Sequence, residues 1–192
     1  MVQRNVAVLV GSLRKASYNR KMALALEQLA PENLKLSIVE IRDLPLYDED
    51  LEGPATPQAW LAFREAMRRH EAVLFVTPEY NRSVPGGLKN AIDVGSRPYG
   101  QSIWSRKPCA VVTVSPGGIG GFGANHHLRQ SLVFLDMPVL QQPEAYIGGA
   151  ATLFAEDGSI ANDGTRKFLT GLMTAFADLI ERAAPKPSSP PQ

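Results

Sequence analysis

Short apolar runs alternate with segments of helical periodicity along most of the chain, and this alternation constrains the fold more than any other feature. The runs are continuous and rich in β-branched residues, which is typical of strands buried on both faces of a parallel sheet. Val139–Leu140 marks the fifth run, with Tyr146–Ile147 as a further candidate for it. The other four predicted strands are Val6–Val10, Leu34–Ile41, Ala72–Thr77 and Ala110–Val114.

The segments between and after these runs have the spacing of amphipathic helices. In the last of them apolar residues recur at helical spacing, and Asp163 or Thr165 is predicted to cap the helix. Thr56 is predicted to cap the second helix, because Pro57 follows it and proline is favoured at the first helical position. The predicted helices are Arg20–Leu29, 57–70, Gly86–Gly95, Asn125–Leu135 and a last one around Phe168–Ile180.

This order of strands and helices predicts a doubly wound α/β fold, a parallel sheet with helices on both faces. Five strands in a chain of 192 residues favour a flavodoxin-like three-layer sandwich of strand order 2-1-3-4-5 over a larger dinucleotide-binding fold. We therefore expect one domain over residues 1–183. The segment 184–192 is rich in proline and is predicted to be disordered.

Charge and cysteine content argue against several functional classes. The net charge is +1, without the basic excess that nucleic-acid binding requires. No apolar stretch approaches a transmembrane span, so no membrane insertion is expected, and the amino-terminal apolar run is too short for a signal peptide. Cys109 is the only cysteine, so we expect a buried structural thiol, no intramolecular disulfide and a cytoplasmic location.

Ligands of doubly wound sheets bind beyond the carboxyl ends of the strands, where the strand order reverses. For the predicted order this point lies between the first and third strands. The loops after the first, third and fourth strands should therefore form a site, and the acidic loop Asp43–Gly53 should lie further away. The three candidate loops are Gly11–Asn19, Pro78–Pro85 and Ser115–Ala124.

The first of these loops has the features of a phosphate site. From Gly11 to Leu26 the chain has four basic residues and no acidic one, and the loop leads into a predicted helix. Unpaired N–H groups at the amino terminus of a helix bind anions. The alternative is that Ser17 or Asn19 only caps the helix, while the basic side chains lie in solvent.

The other two loops are predicted to form the walls of the same site. Ser115–Gly123 contains a G-x-G-x-x-G pattern, but it follows the fourth strand and lacks a suitably placed acidic residue, which argues against a dinucleotide fingerprint. We interpret its glycines as a flat wall that lets the backbone approach a planar ring. The loop Pro78–Pro85 adds an aromatic ring and an amide, although alone it is typical of an ordinary surface turn.

Taken together, the motifs in these loops resemble those of the NADPH-dependent FMN reductase family. The segments concerned are Gly11-Ser-Leu-Arg, Thr77-Pro-Glu-Tyr-Asn, Pro85-Gly-Gly-Leu-Lys-Asn-Ala-Ile-Asp and the glycine-rich Ser115–Gly121. The resemblance implies an FMN phosphate held by Ser12, Leu13, Arg14, Ser17 and Asn19. It implies a flavin ring and ribityl chain that lie against Pro78, Glu79, Tyr80, Asn81, Ser115, Gly117 and Gly118.

Within that family the chain is most similar to bacterial chromate and quinone reductases, through His127–Asp136 and Pro143-Glu144. This implies an enzyme that passes electron pairs from NADPH or NADH through FMN to a quinone-like acceptor, and also to azo compounds or chromate. A shared ring face predicts ping-pong kinetics, and no side chain is predicted to act as a catalytic acid or base. The likeness also implies a homodimer or homotetramer with contacts near Arg129, Glu144 and Tyr146.

Other functions remain open at the level of sequence. An FMN reductase would use flavin as a diffusible substrate and release it reduced, whereas a flavodoxin-type carrier would have no nicotinamide chemistry of its own. The net charge of +1 and the glycine-rich third loop argue against the carrier. Pro116 lacks an N–H donor, so the bonding of this loop to a ring is open. His126 and His127 are adjacent and so lie on different sides of a helix, which argues against a metal site.

Overall fold

The computed structural model of the chain describes residues 2–184, and within them five parallel strands form one sheet. The strands are β1 (Arg4–Val10), β2 (Leu34–Ile38), β3 (Ala72–Thr77), β4 (Cys109–Val114) and β5 (Ala145–Ile147). Their order is β2-β1-β3-β4-β5, as predicted. The helices are α1 (Tyr18–Leu29), α2 (Gln58–Arg68), α3 (Gly86–Gly95), α4 (Phe122–Phe134) and α5 (Asp163–Ala183).

The buried strands β1, β3 and β4 carry continuous apolar runs because both of their faces are covered, whereas β2 at the margin alternates buried and exposed residues. Val6, Val8 and Val10 of β1 are buried in a core shared with α1 and α5. Ala7 and Leu9 of the same strand are buried in a second core with α2, α3 and α4. Successive side chains of a strand point to opposite faces, so a sheet between two cores requires an uninterrupted apolar run. The three-layer flavodoxin-like sandwich is therefore confirmed.

Side-chain caps fix where two of the helices begin. Ser17 caps α1, because its Oγ accepts a hydrogen bond from the Arg20 N–H at 3.1 Å. Asn162, rather than Asp163 or Thr165, caps α5, because its Oδ1 accepts a hydrogen bond from the Thr165 N–H at 2.9 Å. Several residues that favour cap positions follow one another here, and the sequence alone does not distinguish between them.

The starts of α2 and α4 also differ from the prediction. Thr56 does not cap α2, because its hydroxyl donates to the carbonyl oxygen of Gly53 at 2.9 Å. Pro57 takes the cap position and makes no side-chain hydrogen bond there. The fourth helix begins at Phe122 rather than at Asn125, because Gly121, with a φ of 82°, turns the chain directly into it.

The fifth strand agrees with the prediction only in part. β5 contains the candidate pair Tyr146–Ile147, which pairs with the carboxyl end of β4. Val139–Leu140 does not form a ladder, although Val139 makes a single bridge to Cys109 and the Leu140 N–H donates to the carbonyl oxygen of Cys109 at 2.8 Å. The chain thus meets β4 twice, and both contacts require apolar residues. This explains why two short runs compete for one strand in the sequence.

The remaining predictions concern membrane insertion and the carboxyl-terminal tail. Among residues 2–184, no helix combines the length and the apolar character needed to cross a membrane. The predicted disordered tail, 184–192, lies outside the described residues apart from Ala184. The domain boundary at residue 183 therefore stays a prediction.

Candidate functional site

The three predicted loops meet at the carboxyl edge of the sheet, beyond β1, β3 and β4. Gly11 follows β1, and its N–H donates to the carbonyl oxygen of Val76 in β3 at 2.9 Å. Asn19 reaches further across the edge, since its Nδ2 donates to the carbonyl oxygen of Val114 in β4 at 3.3 Å. A Cβ on Gly11 would lie 2.2 Å from Thr77 Oγ1, so this close approach requires glycine.

The first loop combines a capped helix start with free basic groups. Ser12 and Ser17 are buried, while Leu13 and Arg14 are exposed. Ser17 caps α1, because its hydroxyl accepts the hydrogen bond that begins the helix, and its contact with a phosphate stays a prediction. Arg14 forms no ion pair within residues 2–184, and the first turn of α1 contains no acidic residue. An anion at this helix start would meet no repulsion from that turn.

The side-chain oxygen of Asn19 lacks a hydrogen-bond partner among residues 2–184. The residue is 4% exposed, and its Nδ2 is bonded to the end of β4. Its Oδ1 is buried and has no hydrogen-bond partner in the part of the chain that the structure describes. Buried acceptors are normally paired, and an unpaired one costs about 1–3 kcal/mol. The position therefore suits a ligand that offers a hydroxyl donor.

The second loop folds back in a tight turn at the mouth of the site. Asn81 and Arg82 have φ values of 51° and 62°, which places both in the left-handed region. The N–H of Tyr80 donates to the carbonyl oxygen of Ser83 at 3.0 Å, and the N–H of Ser83 donates back to Tyr80 at 2.9 Å. Two positive φ values between paired residues define a type I′ turn. This turn holds the ring of Tyr80 46% exposed.

Glu79 ties the second loop to the third. Its Oε2 accepts a hydrogen bond from the Ala124 N–H in the first turn of α4 at 3.0 Å, and its Oε1 lies 3.0 Å from the Arg82 guanidinium. The side chain of Glu79 is only 10% exposed. A Cβ on Gly123 would lie 2.9 Å from Glu79 Oε2, so the two loops are in close contact. The carboxylate of this predicted cofactor residue therefore serves as a cap for α4.

The third loop presents an exposed backbone with few side chains. Pro116, Gly117, Gly118 and Ile119 are exposed, and a Cβ on Gly118 would meet nothing within 4 Å. The N–H of Gly117 donates to Ser115 Oγ at 3.2 Å, so this hydroxyl is used within the loop. The loop matches the expected flat wall in shape, but its contact with a ring stays a prediction.

The fixed side of the same loop packs against β5. Gly120 has a φ of 65°, and a Cβ there would lie 2.4 Å from the carbonyl carbon of Tyr146. Gly121 is equally restricted, because its Cβ would lie 2.9 Å from Thr113 Cβ in β4. Glycine is required at both positions, and the loop keeps one side on the sheet and the other in solvent.

The two histidines and Arg129 make contacts within the chain. His126 Nε2 lies 3.1 Å from the Tyr146 hydroxyl, whereas His127 Nδ1 lies 3.0 Å from Ser83 Oγ, so the histidines face different ways as predicted. No group of three potential metal ligands occurs among residues 2–184. Arg129 donates to the carbonyl oxygen of Leu140 at 2.9 Å, so part of its guanidinium is used inside the protomer.

Burial shifts the pKa values of three residues upwards, those of Tyr47, Cys109 and Tyr146. Cys109 is fully buried, and burial raises the pKa of its thiol far above the usual range. The thiol is therefore protonated and unreactive in the folded protein, in keeping with the predicted structural role. Burial, followed by the neighbouring Glu144 carboxylate, raises the pKa of Tyr146 to about 12.

A cavity of about 410 Å³ borders the first loop on the side of β2, and its lining includes the predicted phosphate residues Ser12, Leu13 and Arg14. Sequence reasoning missed the wall that residues 39–43 form. It lies between residues 12–15 and 39–43. Asn90 of α3 holds the chain that follows the cavity, because its Oδ1 accepts from the Tyr47 N–H at 2.8 Å and its Nδ2 donates to the carbonyl oxygen of Pro45 at 3.0 Å. Only the basic residues near the cavity gave any indication of it in the sequence.

A doubly wound sheet with an acid-free helix start after β1 and an exposed glycine wall after β4 defines a flavodoxin-like nucleotide-binding protein. More particularly, the chain belongs to the NADPH-dependent FMN reductase family, whose family model matches residues 4–152. The sequence resemblance to this family is therefore confirmed.

The relatives of the chain are flavoenzymes and quinone reductases of nearly the same length. A quinone reductase of Pseudomonas putida is 69% identical over 92% of this chain and 95% of its own. An NAD(P)H-dependent FMN reductase of Pseudomonas aeruginosa is 40% identical over 90% of this chain and 92% of its own. The solved structure of FerB, a flavoenzyme NAD(P)H:(acceptor) oxidoreductase from Paracoccus denitrificans, superposes with a TM-score of 0.89 at 44% identity, over 94% of this chain and 98% of that one.

Proposed function

We propose that this chain is an FMN-dependent NAD(P)H oxidoreductase that reduces quinones by two electrons. The observation that carries this proposal is the 69% identity to a quinone reductase along nearly the whole of both chains. The three loops at the carboxyl edge of the sheet support it, because they lie where a doubly wound sheet binds its ligand.

The residues present at this edge fit FMN. We propose that the first loop binds the phosphate and the other two lie against the ribityl chain and the ring. Asn19 Oδ1 is a buried acceptor without a protein partner among residues 2–184, and a ribityl hydroxyl is a suitable donor for it. The proposed set is Ser12, Leu13, Arg14, Ser17, Asn19, Pro78, Glu79, Tyr80, Asn81, Ser115, Gly117 and Gly118.

FMN, when bound, supplies the hydride chemistry, and the protein supplies binding and orientation. Arg14 is free to neutralise a phosphate, and the start of α1, which has no acidic residue in its first turn, adds a favourable dipole. Glu79 acts indirectly, because its carboxylate holds the second and third loops together. Tyr80 belongs to the second loop and is 46% exposed. Neither Tyr80 nor any other side chain is assigned the role of acid or base.

The open side of the third loop offers one face to both substrates. Gly118 leaves clear space above the backbone, so a nicotinamide and a quinone would have to occupy this face in turn. We therefore expect ping-pong kinetics, with parallel double-reciprocal lines. The N–H groups of Tyr80, Gly117 and Gly120 are already bonded within their loops. Stabilisation of a reduced ring would therefore depend on other N–H groups of these loops.

A second candidate is the reduction of free FMN. The P. aeruginosa relative carries that name, and the exposure of Leu13, Arg14 and the third loop favours exchange of a bound flavin. Flavin retention separates the two functions, since a quinone reductase keeps FMN through gel filtration and a flavin-releasing enzyme loses it.

Assembly and location are part of the same proposal. We propose a homodimer or homotetramer, supported by the apolar end of α4, where Val133 is 73% and Phe134 is 84% exposed. Light scattering after gel filtration measures the assembly directly. We propose a cytoplasmic location, supported by the single buried thiol of Cys109, and fractionation of cells tests it.

The first experiment is a visible absorption spectrum of the purified protein, followed by anaerobic addition of NADPH and, separately, of NADH. Flavin bands that bleach with the nicotinamide and return with a quinone are the expected result. A protein that neither carries flavin nor binds and reduces added FMN would refute the proposal. If the flavin bands bleach and then return only with oxygen, and not with any quinone, the proposal that quinones are the acceptors is refuted.

A further inference from the structure

The cavity beside the first loop is a second place where a charged ligand fits. Its volume is about 410 Å³, and it opens between the first loop and the chain that follows β2. Val10, Val39 and Ile41 form its apolar side, and the rest of the lining is Ser12, Leu13, four basic side chains and the carboxylates of Glu40 and Asp43. Ser12, Leu13 and Arg14 of the proposed FMN phosphate site line it, whereas Ser17 and Asn19 do not. The cavity therefore shares the first loop with that site and extends from it towards the chain after β2.

The charges around the cavity favour an anion. Four cationic side chains line it, with two carboxylates, those of Glu40 and Asp43. Glu40 is neutralised by Arg20, whose guanidinium lies 2.7 Å from its Oε1. Arg14 is assigned to the FMN phosphate, so the remaining charges are two cations, those of Lys15 and Arg42, against Asp43 alone. Within residues 2–184, neither of these two cations is in an ion pair.

Arg42 is held in place at the edge of the cavity. Its guanidinium donates a hydrogen bond to the carbonyl oxygen of Leu13, which joins the chain after β2 to the first loop. A guanidinium has five N–H donors, so one bond to a carbonyl leaves most of them for a ligand. Lys15 belongs to the opposite wall and adds a second positive charge. Arg42 and Lys15 are thus placed to bind one phosphate group from two sides.

We propose that this cavity binds the adenosine 2′-phosphate of NADPH through Lys15 and Arg42, and that these residues set a preference for NADPH over NADH. The inference rests on the proposed function, because it names the donor of that reaction. The apolar side formed by Val10, Val39 and Ile41 suits the purine, and the unbalanced charge suits the phosphate. The neighbouring ring site would receive the nicotinamide of the same molecule.

The position of these residues has a precedent in nucleotide-binding sheets. At the end of the second strand, a carboxylate binds the ribose 2′-hydroxyl of NAD, whereas an arginine accommodates the 2′-phosphate of NADP. Here Glu40 follows β2, but its carboxylate is taken up by Arg20. Arg42 is the nearby arginine. Arg42 and Lys15 thus supply cations for a 2′-phosphate, while the pair with Arg20 offsets the charge of Glu40.

Calorimetry on the FMN-loaded protein tests the site without turnover. The probes are adenosine 2′,5′-bisphosphate and 5′-AMP, which differ only in the 2′-phosphate. We expect the bisphosphate to bind more tightly, and the ratio of affinities to fall about tenfold in Arg42→Ala and in Lys15→Ala, since bonds to charged groups contribute on this scale. Lys35→Ala, which removes an exposed charge from β2, is the matched control and should leave the ratio unchanged.

Kinetics give the second readout. In Lys15→Ala, kcat/KM for NADPH should fall about tenfold while the value for NADH stays within about twofold. FMN affinity is measured for each variant, because Arg42→Ala removes the bond to Leu13 and could move the first loop. An unchanged ratio of affinities in both variants would overturn the proposal. Binding of the bisphosphate to apoprotein only, with displacement by FMN, would also overturn it, because the cavity would then be the cofactor's own phosphate site.

The failure of this inference differs from the failure of the proposed function. If the wild type and both variants reduce quinones equally well with NADPH and NADH, the proposed function stands and the inference about the 2′-phosphate is refuted. A protein that binds no flavin and reduces no quinone loses the function, whatever its affinity for adenosine phosphates.

Discussion

Replacement of Glu79 by alanine tests whether its carboxylate stabilises the site rather than touching the cofactor. The change removes a hydrogen bond to the Ala124 N–H at 3.0 Å and an ion pair with Arg82. A side-chain cap at the start of a helix contributes about 1 kcal/mol, with a range of about 0.5–2 kcal/mol. The Arg82 side chain is 72% exposed, so its pair with Glu79 adds well under about 1 kcal/mol. We expect a total loss of about 1–2 kcal/mol.

Urea unfolding of the apoprotein measures this loss without any contribution from FMN. Glu79→Gln keeps an oxygen acceptor for the Ala124 N–H and removes only the charge, so we expect it to lose about 0.3–1 kcal/mol. Glu65→Ala is the matched control, because Glu65 pairs with Arg69 on an exposed helix surface. Its free energy of unfolding should change by no more than about 0.5 kcal/mol.

FMN titration of the same variants completes the test. If Glu79 acts through the loops, Glu79→Gln should bind FMN nearly as well as the wild type, and Glu79→Ala should bind it more weakly. The reasoning is refuted if the free energy of unfolding of the Glu79→Ala apoprotein equals that of the wild type while its FMN affinity falls at least about a hundredfold. That combination would mean that the carboxylate contacts the cofactor directly.

Three further predictions follow from contacts described above. Gly11→Ala should lower the free energy of unfolding by about 1–3 kcal/mol in urea, because the new Cβ meets Thr77 Oγ1. Gly86→Ala is the control, because a Cβ there meets nothing within 4 Å, and it should cost under about 0.5 kcal/mol. Equal effects of the two substitutions would contradict the close approach at Gly11. Asn90→Ala should cost about 2–3 kcal/mol and increase proteolysis of residues 44–47, because three hydrogen bonds to that segment are lost; unchanged stability would exclude this role. Tyr146, whose folded pKa of about 12 lies above the usual value, should stabilise the fold below a pH of about 10 and cease to do so as the pH rises towards 12. Tyrosinate absorbance should show this late titration, and its amplitude should fall in Tyr146→Phe, where the half-buried Tyr47 still titrates late. An unchanged amplitude would assign the titration to another residue.

Much of the fold could be predicted because two periodicities were strong. The run Ala72–Thr77 and the helix Gly86–Gly95 have the same bounds in the sequence prediction and in the structure. The strand is buried along its length and the helix buries one face, through Leu88, Ala91, Ile92 and Val94, so both apolar patterns are clear. The fifth strand was harder to predict, because Val139–Leu140 and Tyr146–Ile147 both touch β4 and only their hydrogen bonds distinguish them.

The site was predictable in its location and less so in its bonding. Strand order alone places the three loops together at one edge. The role of the Glu79 carboxylate could not be predicted, because its partner Ala124 is distant in the chain and the bond runs to a backbone N–H, which has no sequence pattern. Arg42 was missed for a similar reason. It lies after the second strand, outside the three predicted loops, and only the folded chain brings it to Leu13.

The margins of the sheet have a consequence for how the protein behaves at high concentration. β5 has three residues and β2 has five, and β2 carries the exposed Lys35. Short and charged margins offer few free backbone groups to a strand from another molecule. We therefore expect the chain to resist amyloid-like growth through its sheet, and contacts between copies to form through the helices instead.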